Sequence, residues 1–161
     1  MKFYEIRDPI YGFIRLNELE IDIVNHPVFQ RLRRIKQLGF TEMVYPSAKH
    51  SRFEHSLGVM DLATRLYDEI VKKNSHILEE TVGLDENELD RDRELIRLAA
   101  LLHDIGHAPL SYVGENLMPI NPKTSKPYKH KHYSATIIKE IFKDIIEDHD
   151  AKNKLMKEGL L

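Results

Sequence analysis

Five apolar residues, Leu98, Ala99, Ala100, Leu101 and Leu102, run without interruption into His103 and Asp104, with His107 one turn further on. A chain that folds this stretch must find partners for a carboxylate and two imidazoles at the end of an apolar helix. A buried carboxylate without hydrogen bonds, an opposite charge or a metal ion is costly. Asp104 also falls near a helix C-terminus, where the macrodipole already places negative partial charge, and this calls for a cation beside it. Adjacent residues on a straight helix diverge by about 100°. At a helix end unwinding through Ile105 and Gly106, His103 and Asp104 can still turn toward one ion. His107 lies four residues beyond His103, on roughly the same face. LAALLHDIGHAPLSY therefore reads as half of a metal site.

A second cluster, KHSRFEHSLG, supplies the other half. His55 falls in the first turn of a long helix expected from about Phe53 to Lys73, and Arg52 precedes it by three residues. A helix N-terminal turn suits anions, and a guanidinium adds a planar fork for phosphate oxygens. Should His55 meet His103 and Asp104, two imidazoles and one carboxylate suit a first-row transition metal such as Mn, Fe, Zn or Ni, with Mg brought in by substrate phosphates. Lone histidines are more often hydrogen-bonded core or surface residues than ligands. On that ground His26, His76, His132 and His149 are assigned no function.

The rest of the chain reads as helical apart from its start. KFYEIRDPIYGFIRLN alternates around Asp8-Pro9 and Gly12, as a small β-hairpin does. Asn17 caps a short helix over 18–25, and Pro27 opens another in which Val28, Leu32, Ile35 and Leu38 recur at helical spacing until Gly39. In the long helix, Val59, Leu62, Leu66 and Ile70 form an apolar stripe expected to face the core, with His55 at its head. Residues 83–90 read as a polar loop leading into RDRELIRLAALLHDI, which ends at Gly106 and Pro109. NPKTSKPYKHK is expected as a surface loop, YSATIIKEIFKDIIEDHD as a final amphipathic helix, and the last eleven residues as frayed or cut off.

At 161 residues, 42% hydrophobic and 31% charged, the chain suffices for one domain with a real core. A net charge of −2 gives no global field toward nucleic acid or an anionic membrane. Without cysteine there is neither a disulfide framework nor a thiolate zinc site. MKFYEIRDPIYGF lacks the apolar run of a signal peptide, and no segment approaches a membrane span, so a soluble cytoplasmic protein is expected. The basic run Arg31, Arg33, Arg34 and Lys36 reads either as a solvated helix face or as a contact for phosphate or single-stranded nucleic acid. Few aromatics interleave with it, so base stacking has little support.

DPIYGFIRL, HPVFQRLRRIKQLG, YPSAKHSRFEHSLGV and LAALLHDIGHAPLSY, in order over residues 8–112, resemble the HD-domain phosphohydrolases, specifically their deoxynucleoside triphosphate triphosphohydrolase branch. KHKHYSATII extends the likeness to about residue 138. The resemblance implies an all-α HD-domain helical bundle with a small N-terminal β-hairpin. It also implies a single HD-type domain over 1–161 that forms the N-terminal part of a longer catalytic domain. It places metal ligands on His55, His103 and Asp104, and a phosphate contact on Arg52. His107 and His130 line the phosphate site as catalytic groups, while Gln37 and Leu38 contact sugar and base.

Three departures accompany it. The family's fourth metal ligand lies on a helix far downstream, and Asp144, Asp148 and Asp150 read better as a solvated face. Tyr112 stands where many relatives carry a histidine, and a phenol is a poor proton shuttle at neutral pH. Tyr4 and Asn25 stand where some relatives carry the Lys and Asp of a guanine-nucleotide effector site, although Gln30 and Arg33 remain.

The function so implied is metal-dependent hydrolysis of a nucleotide, dNTP going to deoxynucleoside and triphosphate, by a homo-oligomer without membrane attachment. The alternatives are a non-catalytic nucleotide-binding or assembly module with an incomplete metal site, or an HD phosphohydrolase acting on other phosphoesters.

Overall fold

The computed structural model describes residues 2–149, apart from the side chain of Thr81. Asp8 closes the first turn by accepting the N–H groups of Ile10 at 2.8 Å and Tyr11 at 2.9 Å through its Oδ1. Strands β1 (Tyr4–Asp8) and β2 (Gly12–Leu16) pair antiparallel, Tyr4 opposite Leu16 and Asp8 opposite Gly12. Ile14 and Leu16 point into the core while Phe13 and Arg15 are exposed, the alternation a one-sided hairpin requires.

Asn17 then caps α1 (Glu18–Asn25) in a reciprocal box: its Oδ1 accepts from Glu20 N at 2.8 Å, and Glu20 Oε2 accepts from Asn17 N at 2.9 Å. The same carboxylate is fully buried and meets Arg97 from α4 (Glu86–Leu102), at 2.6 Å from Nε and 2.8 Å from Nη2. Arg97 also donates to Thr64 Oγ1 and to the Arg15 carbonyl, both at 2.8 Å. One buried guanidinium thus joins the hairpin, α1 and both long helices.

The expected helix from Val28 to Leu38 is not continuous. Helix α2 (Pro27–Gln30) tightens into a 3₁₀ turn over Arg31–Arg34, and Ile35 is extended. Here a tertiary pairing overrides local propensity. Ile35 is buried, its carbonyl accepts from Arg52 N at 2.8 Å, and Gln37 N donates to the His50 carbonyl at 3.1 Å. The pairing sets Ile35 opposite Arg52 and Gln37 opposite His50.

Helix α3 runs Arg52–Ile77 and continues through a π-helical turn, Leu78–Val82. Its core face is Phe53, Leu57, Met60 and Thr64, not the expected stripe: Leu62, Leu66 and Ile70 are 55%, 62% and 48% exposed. The two stripes are similar in helical spacing, and packing of the hairpin, α1 and α4 selects the first. Helix α4 begins inside the expected 83–90 loop, at Glu86, because Asp85 and Glu88 form a capping box with bonds of 2.8 and 2.9 Å. It stops at Leu102 rather than Ile105, with His103 as C-cap.

After the single turn α5 (Tyr112–Glu115), the expected surface loop contains a short hairpin, β3 (Ile120–Asn121) with β4 (Lys126–Pro127). Helix α6 (His130–Ile137) starts three residues before the expected Tyr133 and passes through a π turn, Ile138–Phe142, into helix 143–149. Phe142 returns to the core, edge-on to His26 at 5.1 Å. Asp144 and Asp148 are exposed; Asp150 and the last eleven residues lie outside the described residues. Among the described residues no helix is long and apolar enough to cross a membrane.

Candidate metal centre

The turn after α4 carries the chemistry, and its backbone is held from two sides. A Cβ at Gly106 would sit 2.2 Å from the His130 carbonyl oxygen and 2.3 Å from Ser134 N, so only glycine allows α6 this close. Ser134 Oγ accepts from Gly106 N at 2.9 Å and donates to the His103 carbonyl at 3.0 Å. From the opposite side Arg31 donates to the carbonyls of His107, at 2.6 Å, and of Ile105. With these carbonyls satisfied, the turn projects its side chains inward.

Asp104, 3% exposed, is the hub. Its Oδ2 accepts from Arg52 Nη1 and lies 3.3 Å from His103 Nε2 and 3.5 Å from His55 Nε2. Its Oδ1 faces His107 Nε2 at 3.5 Å and His130 Nε2 at 3.9 Å. The Nδ1 atoms behind two of these rings are occupied, His103 on the Ala100 carbonyl at 2.7 Å and His130 on Glu115 Oε1. This outer bonding aims each Nε2 at Asp104.

Burial alone would raise the Asp104 carboxyl, but the His103 and His107 imidazoles that face it, with the charges of His103 and Arg52, hold it well below the usual carboxylate range. Burial pushes the His55 imidazole down, the neighbouring cations His103 and Arg52 adding to it against the pull of Asp104. Burial likewise lowers His107. His103 moves up: its burial is outweighed by its bonds to Asp104 and the Ala100 carbonyl. The lowered His55 and His107 favour the neutral imidazole a metal requires, beside an ionised carboxylate, whereas His103 would have to give up a proton to an ion.

The donors His55, His103 and Asp104 gather with their ligand atoms within 4.8 Å of one another, and Asp104, His107 and His130 form a second such group. His107 is fully buried, stacked on His130 at 3.9 Å, and neither of its ring nitrogens has a hydrogen-bond partner. Orphaned nitrogens next to a carboxylate fit a site built to hold a cation. No fourth ligand joins either group among the described residues.

The remaining expected site residues divide. Gln37 and Tyr112 line a cleft of about 460 Å³ together with His55, His103, Asp104 and His130. Gln37 Oε1 is buried without a partner. Tyr112 stands edge-on to His107 at 5.0 Å and to His130 at 5.7 Å. Leu38 is 47% exposed and does not line this cleft. Arg52 is fully buried and forks between Asp104 and Ser111 Oγ. The basic run turns out mainly intramolecular: Arg31 holds the turn, Arg33 lies over the Phe53 ring at 3.5 Å, and Lys36 pairs with Glu42 at 3.2 Å.

Glu115, Ser111 and Arg31 support the site in ways that no sequence pattern signals. Ser111 adopts φ 56°, a strained left-handed value for a non-glycine residue. Nothing local to Y-V-G-E or to the basic run marks these residues, since each acts on a group distant in sequence.

A helical scaffold that wraps one carboxylate with four imidazoles and an arginine defines a metal-competent His/Asp domain. The chain belongs to the HD domain family, whose model matches residues 52–158. It is 46% identical to an uncharacterized protein of Methanocaldococcus jannaschii over 68% of this chain and 20% of that one. To the deoxynucleoside triphosphate triphosphohydrolase SAMHD1 of Mus musculus it is 35% identical, over 96% of this chain and 21% of the relative. A crystal structure of a hypothetical protein from Aquifex aeolicus superposes with a TM-score of 0.65 at 36% identity, covering 91% of this chain and 34% of that one. The chain thus spans about a fifth of the length of the curated relatives it matches first.

Proposed function

We propose that this protein is a metal-dependent nucleotide phosphohydrolase that converts a dNTP to deoxynucleoside and triphosphate. The observation that carries this reading is Asp104, whose two carboxylate oxygens each face a pair of imidazole Nε2 atoms within 3.9 Å. The likeness to triphosphohydrolase relatives supports the substrate class.

In this reading His55, His103 and Asp104 hold a divalent transition ion, which supplies Lewis acidity toward a phosphoryl oxygen when bound. The protein's own groups do the rest. Water attacks the α-phosphorus, the P–O5′ bond breaks, and O5′ takes a proton from His130, with Glu115 on Nδ1 fixing the ring. His107 stacks behind His130 and keeps it in plane. Arg52 balances negative charge at the centre, and Gln37 offers its free Oε1 to the sugar or base. A cytoplasmic homo-oligomer without guanine-nucleotide control completes the proposal.

The competing reading, a non-catalytic nucleotide-binding module, draws on Tyr112 and on the absence of a fourth ligand among the described residues. Metal analysis of the purified full-length protein, with anion-exchange detection of triphosphate released from dNTPs, separates the two. Stoichiometric metal with triphosphate release supports the hydrolase. Nucleotide binding without metal or turnover would retire it in favour of the module.

A further inference from the structure

The β3–β4 hairpin leads directly into His130, and both residues flanking that histidine are lysines. Lys129 and Lys131 line the same cleft as His55, His103 and Asp104. Both are exposed, and neither ammonium is paired with a carboxylate among the described residues. The cleft's own carboxylates are already engaged, Asp104 with Arg52 and Glu115 with His130. Two positive charges at its mouth therefore have no counterion within it.

Their placement on α6 sharpens the point. The macrodipole favours acidic side chains in the first turn of a helix. Helices α1, α3 and α4 follow this with Glu18 and Glu20, Glu54, and Glu86 and Glu88, whereas the first turn of α6 holds no acid. Stacking Lys129 and Lys131 on that positive end is unfavourable in the free protein, and a bound anion relieves it. Deeper in, fully buried His107 leaves both ring nitrogens unpartnered against the stacked His130. Lys129 and Lys131 thus place uncompensated positive charge at the rim of the cleft.

We propose that Lys129 and Lys131 hold the outer phosphates of a polyphosphate chain whose inner phosphate lies at Asp104 and His130, so that the cleft selects by chain length. This rests on the hydrolase reading for the identity of the inner phosphate. Nucleoside triphosphates and inorganic polyphosphates share the required chemistry, and a monophosphate reaches only the floor. The lysines act as specificity residues, since they contact charge remote from the bond that breaks.

Calorimetric titration of the full chain with inorganic tripolyphosphate and with orthophosphate tests this, on the native protein and on K129Q, K131Q and K129Q/K131Q. Tripolyphosphate should bind at least about tenfold tighter than orthophosphate, and the double variant should lose about tenfold for tripolyphosphate alone, the worth of roughly one charge-assisted bond. An equal loss for both anions, no loss, or no tripolyphosphate binding by the native chain would overturn the proposal. The single variants keep the test open if the double variant fails to fold by circular dichroism. A parallel dNTP assay separates the two readings. Lysine-dependent tripolyphosphate binding without turnover sinks only the hydrolase. Turnover with an unchanged KM and unchanged tripolyphosphate binding in the double variant sinks only the lysine assignment. Unchanged KM for dNTPs but lysine-dependent tripolyphosphate binding assigns the site to inorganic polyphosphate.

Discussion

Arg52 at the head of α3 donates to Asp104 just past the end of α4, and both side chains are buried. The pair ties together the two segments whose histidines form the candidate metal centre. Removing one member leaves the other as an uncompensated buried charge, which costs about 3–5 kcal/mol. Asp104→Ala should therefore abolish metal retention in elemental analysis and lower the denaturation midpoint while the helical circular dichroism persists. Adding Arg52→Met should recover much of that stability without restoring metal. Metal retained by a D104A protein that has lost its helical signal would contradict the ligand role.

Gly106 is where α6 meets the turn. Since a Cβ there would fall 2.2 Å from a backbone oxygen, Gly106→Ala must push His130 away from Asp104. Overpacking of this kind costs about 1–3 kcal/mol, and hydrolysis should fall further than stability does. A G106A protein as active and as stable as the native one would show that the close approach is not required.

Burial would raise the Glu115 carboxyl, but its bonds to the ring and backbone of His130, with the His130 charge, hold it below the usual value. The sign follows from linkage: a depressed carboxyl stabilises the fold above its unfolded pKa, and that stability is lost as pH falls through the folded pKa. Urea midpoints measured from neutrality down through the carboxylate range, near pH 4, should drop less steeply for Glu115→Gln than for the native chain. Parallel acid limbs would rule out the linkage.

The rotation of α3 is testable by contrast. Met60 is fully buried, so Met60→Ala should cost about 2–5 kcal/mol. Leu66 is 62% exposed, and Leu66→Gln should stay within about 0.5 kcal/mol. The reverse order in chemical denaturation would mean that the Leu62–Leu66–Ile70 stripe faces the core after all.

A further contrast concerns the buried Glu20–Arg97 pair. Arg97→Ala strands a carboxylate that is fully buried and should cost about 3–5 kcal/mol, while Glu20→Gln with Arg97→Met should cost much less. Additive losses in a double-mutant cycle would show that the two side chains do not couple.

The sequence by itself determined what depends on residues close in the chain. The Asp8 turn, the Asn17 cap and the small N-terminal hairpin were legible because each bond spans only a few residues. The D-x-x-E box at Asp85 is equally local, its bonds spanning three residues. The apolar run ending in His103-Asp104, with R-x-x-H upstream, marked the centre of the site because buried polar groups demand partners. Only the tertiary structure decided which stripe of α3 is buried, where α2 breaks, and that Glu115, Ser111 and Arg31 support the histidines. Those outcomes hang on contacts between residues far apart in the chain, such as Arg31 with the His107 carbonyl 76 positions away. Periodicity cannot choose between two parallel apolar stripes, and no local pattern announces a bond whose partner lies on another helix.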